Sequence, residues 1–172
     1  FVFYLALCAG QTRAVPAGIS KDAEVFNMKC DPKDLLLYAV TDRHWLNGRT
    51  LVDVVKESLD GGVTMIQLRE KSLDAGKFLE EAKELQALCR ERHVPFIVND
   101  NVDIALELDA DGVHLGKEDM NPLKARQILG YSKIIGGTCN TFEDVVTRFR
   151  QQVDYIGLGP FTYTSTKKRL SP

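Results

Sequence analysis

A chain of 172 residues, 44% hydrophobic and 27% charged, is long enough to bury one sizeable core and too short for two. Its net charge of -2 gives no general attraction to nucleic acid or to an anionic membrane, so any phosphate chemistry must come from local clusters of Lys and Arg. Cys8, Cys30, Cys89 and Cys139 are widely spaced with no C-x-x-C pair, which argues against a zinc site or a disulfide framework and fits a reducing cytoplasm.

Residues 1–7 are apolar, but they lack a basic flank and are too short to span a bilayer. Residues 8–27 show no sustained period. Met28-Lys29-Cys30-Asp31 directly precedes the first good strand pattern, so residues 1–27 read as an extension ahead of a start at Met28. A remnant of a secretory signal is the competing reading. Residues 28–172 carry the folded domain.

The first strand is expected over 35–40, followed by a polar loop over 41–49 and a helix from Thr50, with Asp53 as capping partner and Gly61-Gly62 as its stop. A second strand covers 63–68. Ser72 then caps a long amphipathic helix whose Phe78, Leu79, Ala82, Leu85 and Leu88 keep helical spacing up to Pro95. The third strand, 96–98, ends in Asn99-Asp100 and leads into a short helix over 102–108. The fourth, 112–115, ends in Gly116-Lys117-Glu118-Asp119. Asn121 caps the next helix, with Pro122 in its first turn and Gly130 as its stop. A fifth strand over 133–136, a helix over 141–150, a sixth strand over 154–158 and a polar loop over 159–172 complete the chain.

Strands alternating with helices imply parallel pairing through right-handed crossovers. No G-x-G-x-x-G follows the first strand, which argues against a dinucleotide fold. Every strand from the second to the sixth ends in hydrogen-bonding or charged residues, as expected where strand ends encircle one site at the top of a barrel. The predicted fold is α/β, a TIM (β/α)8 barrel with about six of the eight βα units present. Its first and sixth strands are expected to have bare edges that favour aggregation.

Gln67-Leu68-Arg69-Glu70-Lys71 closes the second strand. Gln67, Arg69 and Lys71 have period two, so an amide, a guanidinium and an ammonium would face one space if the strand continued, forming a receptor for an anionic ligand. A solvated strand end is the plain alternative. Asp100 and Asp119 are hard oxygen ligands at neighbouring strand ends and suit Mg²⁺, which takes few protein ligands. Their alternative is helix capping, since Asp100 precedes a helix and Asp119 lies two residues before the Asn121 cap.

The final loop holds Thr162, Thr164, Ser165, Thr166, Lys167, Lys168 and Arg169, a composition that binds phosphate or forms a solvated tail. His114, inside an apolar strand, reads as a satisfied core histidine rather than a catalyst. His44 and His93 read as loop and helix-end residues. Trp45 either packs on a ligand or anchors the first loop.

Together the segments Tyr38-Ala39-Val40-Thr41-Asp42, Gln67 to Lys71, Val98-Asn99-Asp100, Gly112 to Asp119, Gly157-Leu158-Gly159-Pro160 and Thr164-Ser165-Thr166-Lys167-Lys168 resemble the thiamine phosphate synthase family, from about Leu36 to Pro172. The resemblance implies a TIM-barrel transferase that joins hydroxymethylpyrimidine diphosphate to thiazole phosphate, releasing pyrophosphate. It implies that Gln67 holds the pyrimidine, that Arg69, Lys71, Asn99 and Lys167 contact the diphosphate, and that Asp100 and Asp119 bind Mg²⁺. Thr138 matches a position usually occupied by Ser, and Thr164 and Thr166 match hydroxyls that bind the thiazole phosphate. Arg69, Lys71 and Lys167 are thereby the catalytic group, stabilising the leaving diphosphate without proton transfer.

The implied partners are these small molecules, with no nucleic acid and no membrane, and a homo-oligomer is left open. Asn140 departs from the family, standing where many relatives have His. The family also continues for two more strands and helices with a glycine-rich phosphate loop, so the chain as given is expected to be an incomplete enzyme with little or no activity. A related thiazole tautomerase and a noncatalytic phosphate-binding fragment are the rival readings, and retention of Gln67, Arg69, Lys71 and Lys167 favours the synthase.

Overall fold

The computed structural model describes residues 2–3, 5–8, 29–70 and 75–159. In chain order its elements are β1 (Val2–Phe3), β2 (Leu5–Cys8), β3 (Tyr38–Val40), α1 (Leu51–Asp60), β4 (Met65–Leu68), α2 (Ala75–Glu91), β5 (Phe96–Asn99), α3 (Val102–Glu107), β6 (Gly112–Leu115), α4 (Pro122–Leu129), β7 (Ile134–Cys139), α5 (Phe142–Arg150) and β8 (Tyr155–Leu158). From β3 to β8 each strand pairs in parallel with the next, so all six carboxyl ends lie on one side. This is a partial (β/α) barrel.

The helices begin where local chemistry starts them. Thr50 and Asp53 form a capping box before α1, which turns Leu51, Val54, Val55 and Leu59 inward. Asn121 caps α4 with Pro122 at its first position, and Thr141 with Asp144 caps α5. Asn101, not Asp100, caps α3 and accepts the Ile104 N–H at 3.0 Å. Ser72, the expected cap of α2, lies outside the described residues.

Strand alternation sorts the side chains into two layers. Ala39, Ile66, Leu68, Phe96, Val98, Val113, Leu115, Ile135 and Ile156 pack against helix residues such as Val55, Leu85, Ala105 and Ala125. On the opposite face Tyr38, Met65, Ile97, Ile134 and Tyr155 form a second cluster with Cys30. The Tyr38 and Tyr155 hydroxyls meet at 2.6 Å, so the first and last parallel strands face each other across the inside of the curl.

Two expectations need correction. The outer edges of β3 and β8 are not bare: β1 pairs antiparallel with β3, Val2 opposite Val40, and β2 pairs antiparallel with β8, Leu5 opposite Leu158. An open edge presents unpaired backbone groups, and the apolar residues at the start of the chain satisfy them. Phe3 and Leu5 are two residues apart, so the sheet curls until its edges come within reach of a segment spanning about 7 Å.

The other correction concerns strand bounds. Leu35, expected to open the first strand, instead ends a 3-10 turn over Pro32–Leu35 held by an Asp31–Asp34 capping box, and β3 begins only at Tyr38. β7 runs on through Gly136-Gly137 to Cys139, where a stop at Gly136 was expected. A Cβ at Gly136 would overlap the Tyr155 ring, and one at Gly137 would press on Arg148, so both glycines belong to the strand interior for packing reasons.

Candidate functional site

The strand ends carry the polar residues, as a barrel requires. Gln67 is in β4 and buried at 4% exposure, its Nε2 donating to the Tyr38 hydroxyl at 2.5 Å. Arg69 follows β4 and is half-buried; its N–H donates to Thr41 Oγ1 at 2.9 Å, and that hydroxyl donates back to the Arg69 carbonyl at 3.3 Å. Thr41 thus ties the ends of β3 and β4 together. Glu70, between Arg69 and Lys71 in sequence, is engaged elsewhere: it and Glu81 hold the Arg43 guanidinium.

Asn99 ends β5 opposite His114 of β6. Asp100 follows at φ 64°, and its N–H donates to the His114 carbonyl at 2.8 Å, so it sits beside the end of β6. Asp119 is exposed, and its Oδ2 accepts the Gly116 N–H at 2.6 Å, closing the turn after β6. Neither carboxylate caps a helix, since Asn101 and Asn121 do so. The two acids therefore stand on adjacent strand ends. Among the described residues no three His, Cys, Asp or Glu side chains gather as a metal cluster.

Thr138 on β7 is half-buried, 3.0 Å from His114 Nε2. Lys71, Thr164, Thr166 and Lys167 lie outside the described residues, as do the remaining cations of the final loop and the Trp45 side chain. The structure thus brings Gln67, Arg69, Asn99, Asp100, Asp119 and Thr138 to the carboxyl ends of β4 to β7.

Other residues acquire a role only in three dimensions. Arg148 of α5 is buried and crosses beneath the site, its Nη2 donating to the Gly116 carbonyl at 2.6 Å and its Nε to the Thr138 carbonyl at 3.3 Å. It holds together the ends of β6 and β7 that bear Asp119 and Thr138. Asn140, the departure from the family pattern, donates through Nδ2 to the Gly159 carbonyl and bridges the ends of β7 and β8. His114 does read as a satisfied core histidine, yet both its ring nitrogens contact hydroxyls of the inner layer. Its signal in the sequence was polarity at an inward position of an apolar strand.

Electrostatics distinguish working groups from inert ones. Burial, reinforced by the neighbouring Tyr38, pushes the Tyr155 phenol well above its ordinary range, so it stays protonated. Burial likewise pushes the Cys89 thiol up to about 12 and raises Cys139. These thiols and Cys30 are buried and in no disulfide, and burial argues against their serving as nucleophiles or ligands.

A partial (β/α) barrel with amide, hydroxyl, guanidinium and carboxylate groups collected at its strand ends has the architecture of the barrel class, in which small-molecule sites are built at that face. The family model described as thiamine monophosphate synthase matches residues 37–172, and the chain belongs to that family. It is 45% identical over 135 residues to the thiamine-phosphate synthase of Persephonella marina, covering 78% of this chain and 65% of that protein. It is 44% identical over 157 residues to the chloroplastic thiamine biosynthetic bifunctional enzyme TH1 of Arabidopsis thaliana, covering 87% of this chain and 29% of that one. The solved thiamine phosphate pyrophosphorylase of Pyrococcus furiosus superposes with a TM-score of 0.70 at 39% identity, over 76% of this chain and 62% of that one. The chain thus spans somewhat less than two thirds of the length of the Persephonella and Pyrococcus proteins and under a third of the Arabidopsis one.

Proposed function

We propose that the protein acts as a thiamine phosphate synthase, joining hydroxymethylpyrimidine diphosphate to thiazole phosphate with release of pyrophosphate. The observation that carries this reading is the gathering of Gln67, Asn99, Asp100, Asp119 and Thr138 at the ends of four neighbouring strands, β4 to β7. Gln67 holds the pyrimidine. Arg69, Lys71, Asn99 and Lys167 face the diphosphate, and Thr138, Thr164 and Thr166 supply hydroxyls, the last two to the thiazole phosphate.

The bond between the pyrimidine methylene carbon and the diphosphate oxygen breaks, its electron pair leaving with pyrophosphate, and the thiazole nitrogen then bonds to the methylene. Negative charge grows on the leaving group. Arg69, Lys71 and Lys167 meet that charge with fixed cations, so the residues supply electrostatic stabilisation and need no general base. Asp100 and Asp119 fit Mg²⁺, which takes one or two carboxylates and fills its remaining positions from water and substrate phosphates. When bound, the ion adds a further positive charge against the departing diphosphate.

No helix among the described residues is long and apolar enough to cross a membrane. Cys30, Cys89 and Cys139 stand in no disulfide, which supports a reducing compartment, and we place the protein in the cytoplasm. The test is to mix the protein with both substrates and Mg²⁺ and to measure thiamine phosphate beside binding of the pyrimidine diphosphate. Product that requires both substrates, at a rate below that of a longer relative, is expected. Absence of both product and binding would contradict the reading.

A further inference from the structure

We propose that Tyr155 is a positioning residue that joins Gln67 to Thr138 in one head-to-tail hydrogen-bond chain, so that the amide face and the hydroxyl role offered to a bound molecule are set together. The chain itself belongs to the fold, and only its consequence for a ligand rests on the functional reading above.

The links are short and continuous. Gln67 Nε2 is 2.5 Å from the Tyr38 hydroxyl, which is 2.6 Å from the Tyr155 hydroxyl. Tyr155 is 3.0 Å from His114 Nδ1, and His114 Nε2 is 3.0 Å from Thr138 Oγ1. Tyr155 is fully buried at the centre, and Gln67, Tyr38 and His114 are buried around it. The Tyr38 and Tyr155 rings meet edge to face at 81°. Two glycines clear the space: a Cβ at Gly136 would strike the Tyr155 ring, and one at Gly157 would crowd the His114 ring. The phenol stays protonated and so remains a donor.

A hydroxyl donates one proton at a time, so each link biases the next. With the Gln67 amide nitrogen toward Tyr38, protons run from Gln67 to Tyr38, to Tyr155 and to His114 Nδ1. His114 is then neutral with its proton on Nε2, donates to Thr138, and leaves the Thr138 proton for another acceptor. The Gln67 carbonyl oxygen is left for another donor. Turning the amide, whose two ends are nearly equal in size, reverses every link. A heteroaromatic ring that donates at Gln67 therefore favours a Thr138 that donates, and a ring that accepts at Gln67 favours the opposite. Such coupling exists because the ligand interacts differently with the two proton orders.

The chain has three histidines, and His44 and His93 are exposed, so the imidazole ¹⁵N signals of the labelled 172-residue protein separate His114 from the others. We expect Nδ1 as an unprotonated acceptor and Nε2 protonated. Gln67→Met and Tyr38→Phe should each move the His114 Nδ1 signal by more than a linewidth, and in a Tyr155→Phe background the same substitutions should leave it in place. Thr138→Val supplies the reverse arm, moving the Tyr38 Cζ signal only when Tyr155 is present. Because no turnover is read, failure here is distinct from failure of the synthase assignment. His114 signals indifferent to Gln67→Met and Tyr38→Phe, or equally displaced with Phe at position 155, would overturn the proposal.

Discussion

Arg126 of α4 and Asp154 at the foot of β8 form an ion pair at 2.6 Å, with side chains only 7% and 2% exposed. The same Asp154 oxygen accepts the Ile135 N–H at 2.7 Å, and Arg126 also donates to the Lys133 carbonyl. This knot ties a helix to two strands at the end of the barrel away from the site, where stability rather than catalysis is expected to be decided. Removing one partner leaves a buried charge alone. Asp154→Ala should lower the unfolding free energy by about 3–5 kcal/mol, measured by urea denaturation, whereas the double variant Arg126→Met with Asp154→Leu should recover much of the loss. A cost below about 1 kcal/mol for the single variant would show the pair to be dispensable.

Asp144 makes stability depend on acid. Burial alone would raise its carboxyl, but the N–H groups of Asn140 and Thr141 and the Lys117 ammonium outweigh this and hold it at about 2. The unfolded chain titrates near the ordinary value of about 4. Because the folded value is the lower one, the contribution is complete above about pH 4 and disappears as pH falls toward 2. After allowance for solvent screening it is about 1–2 kcal/mol. The urea midpoint of the wild type should fall more steeply between pH 5 and 2 than that of Asp144→Asn. Parallel curves would remove Asp144 from this role.

How much of this was legible in the sequence depends on the range of each signal. Caps are local, so Thr50 with Asp53 and Asn121 with Pro122 mark their helices directly, whereas Thr141, read as the first residue of the last helix, is its cap together with Asp144. At Asn99-Asp100-Asn101 the choice was finer. Asp100 takes φ 64°, which delays the helix by one residue and hands the cap to Asn101. The strand-end residues were legible because parallel order alone sends them to one face. The inner hydrogen-bond chain was not: Tyr38 and Tyr155 are separated by 117 positions, and each looks like an ordinary core aromatic. The glycine pair in β7 looked like a strand end, because nothing local shows that Tyr155 and Arg148 will occupy the missing side-chain space.

Arg69→Ala and Lys71→Ala should each lower coupling while leaving the fold intact. In the proposed reaction each removes a fixed cation from the departing diphosphate, an expected loss of about 2–4 kcal/mol, or roughly 30- to 1,000-fold in rate. The half-buried Arg69 is anchored by backbone contacts to Thr41, so loss of its side chain does not untie β3 from β4. Rates near wild type for either variant, with unchanged melting, would remove the cations from the mechanism.

Residues 1–8 should matter for association. β1 and β2 cover the outer edges of β3 and β8, so a protein comprising residues 28–172 exposes both rows of backbone groups. Light scattering should report larger and more concentration-dependent masses for 28–172 than for 1–172. Equal, monomeric masses for the two would show that the N-terminal pairing does not protect the edges.

In the proposed function the strand ends of β4 to β7 form a Mg²⁺-assisted diphosphate site. Its most direct test is calorimetric titration of the protein with hydroxymethylpyrimidine diphosphate, with and without Mg²⁺, for wild type, Asp100→Asn and Asp119→Asn. Asn retains a hydrogen-bond acceptor but loses the charge a divalent ion needs, and neither acid caps a helix here. Saturable binding that weakens at least about 10-fold without Mg²⁺, with a raised Mg²⁺ requirement in both variants, is the predicted result. Binding equally tight without Mg²⁺ and unaffected by either substitution would contradict the account.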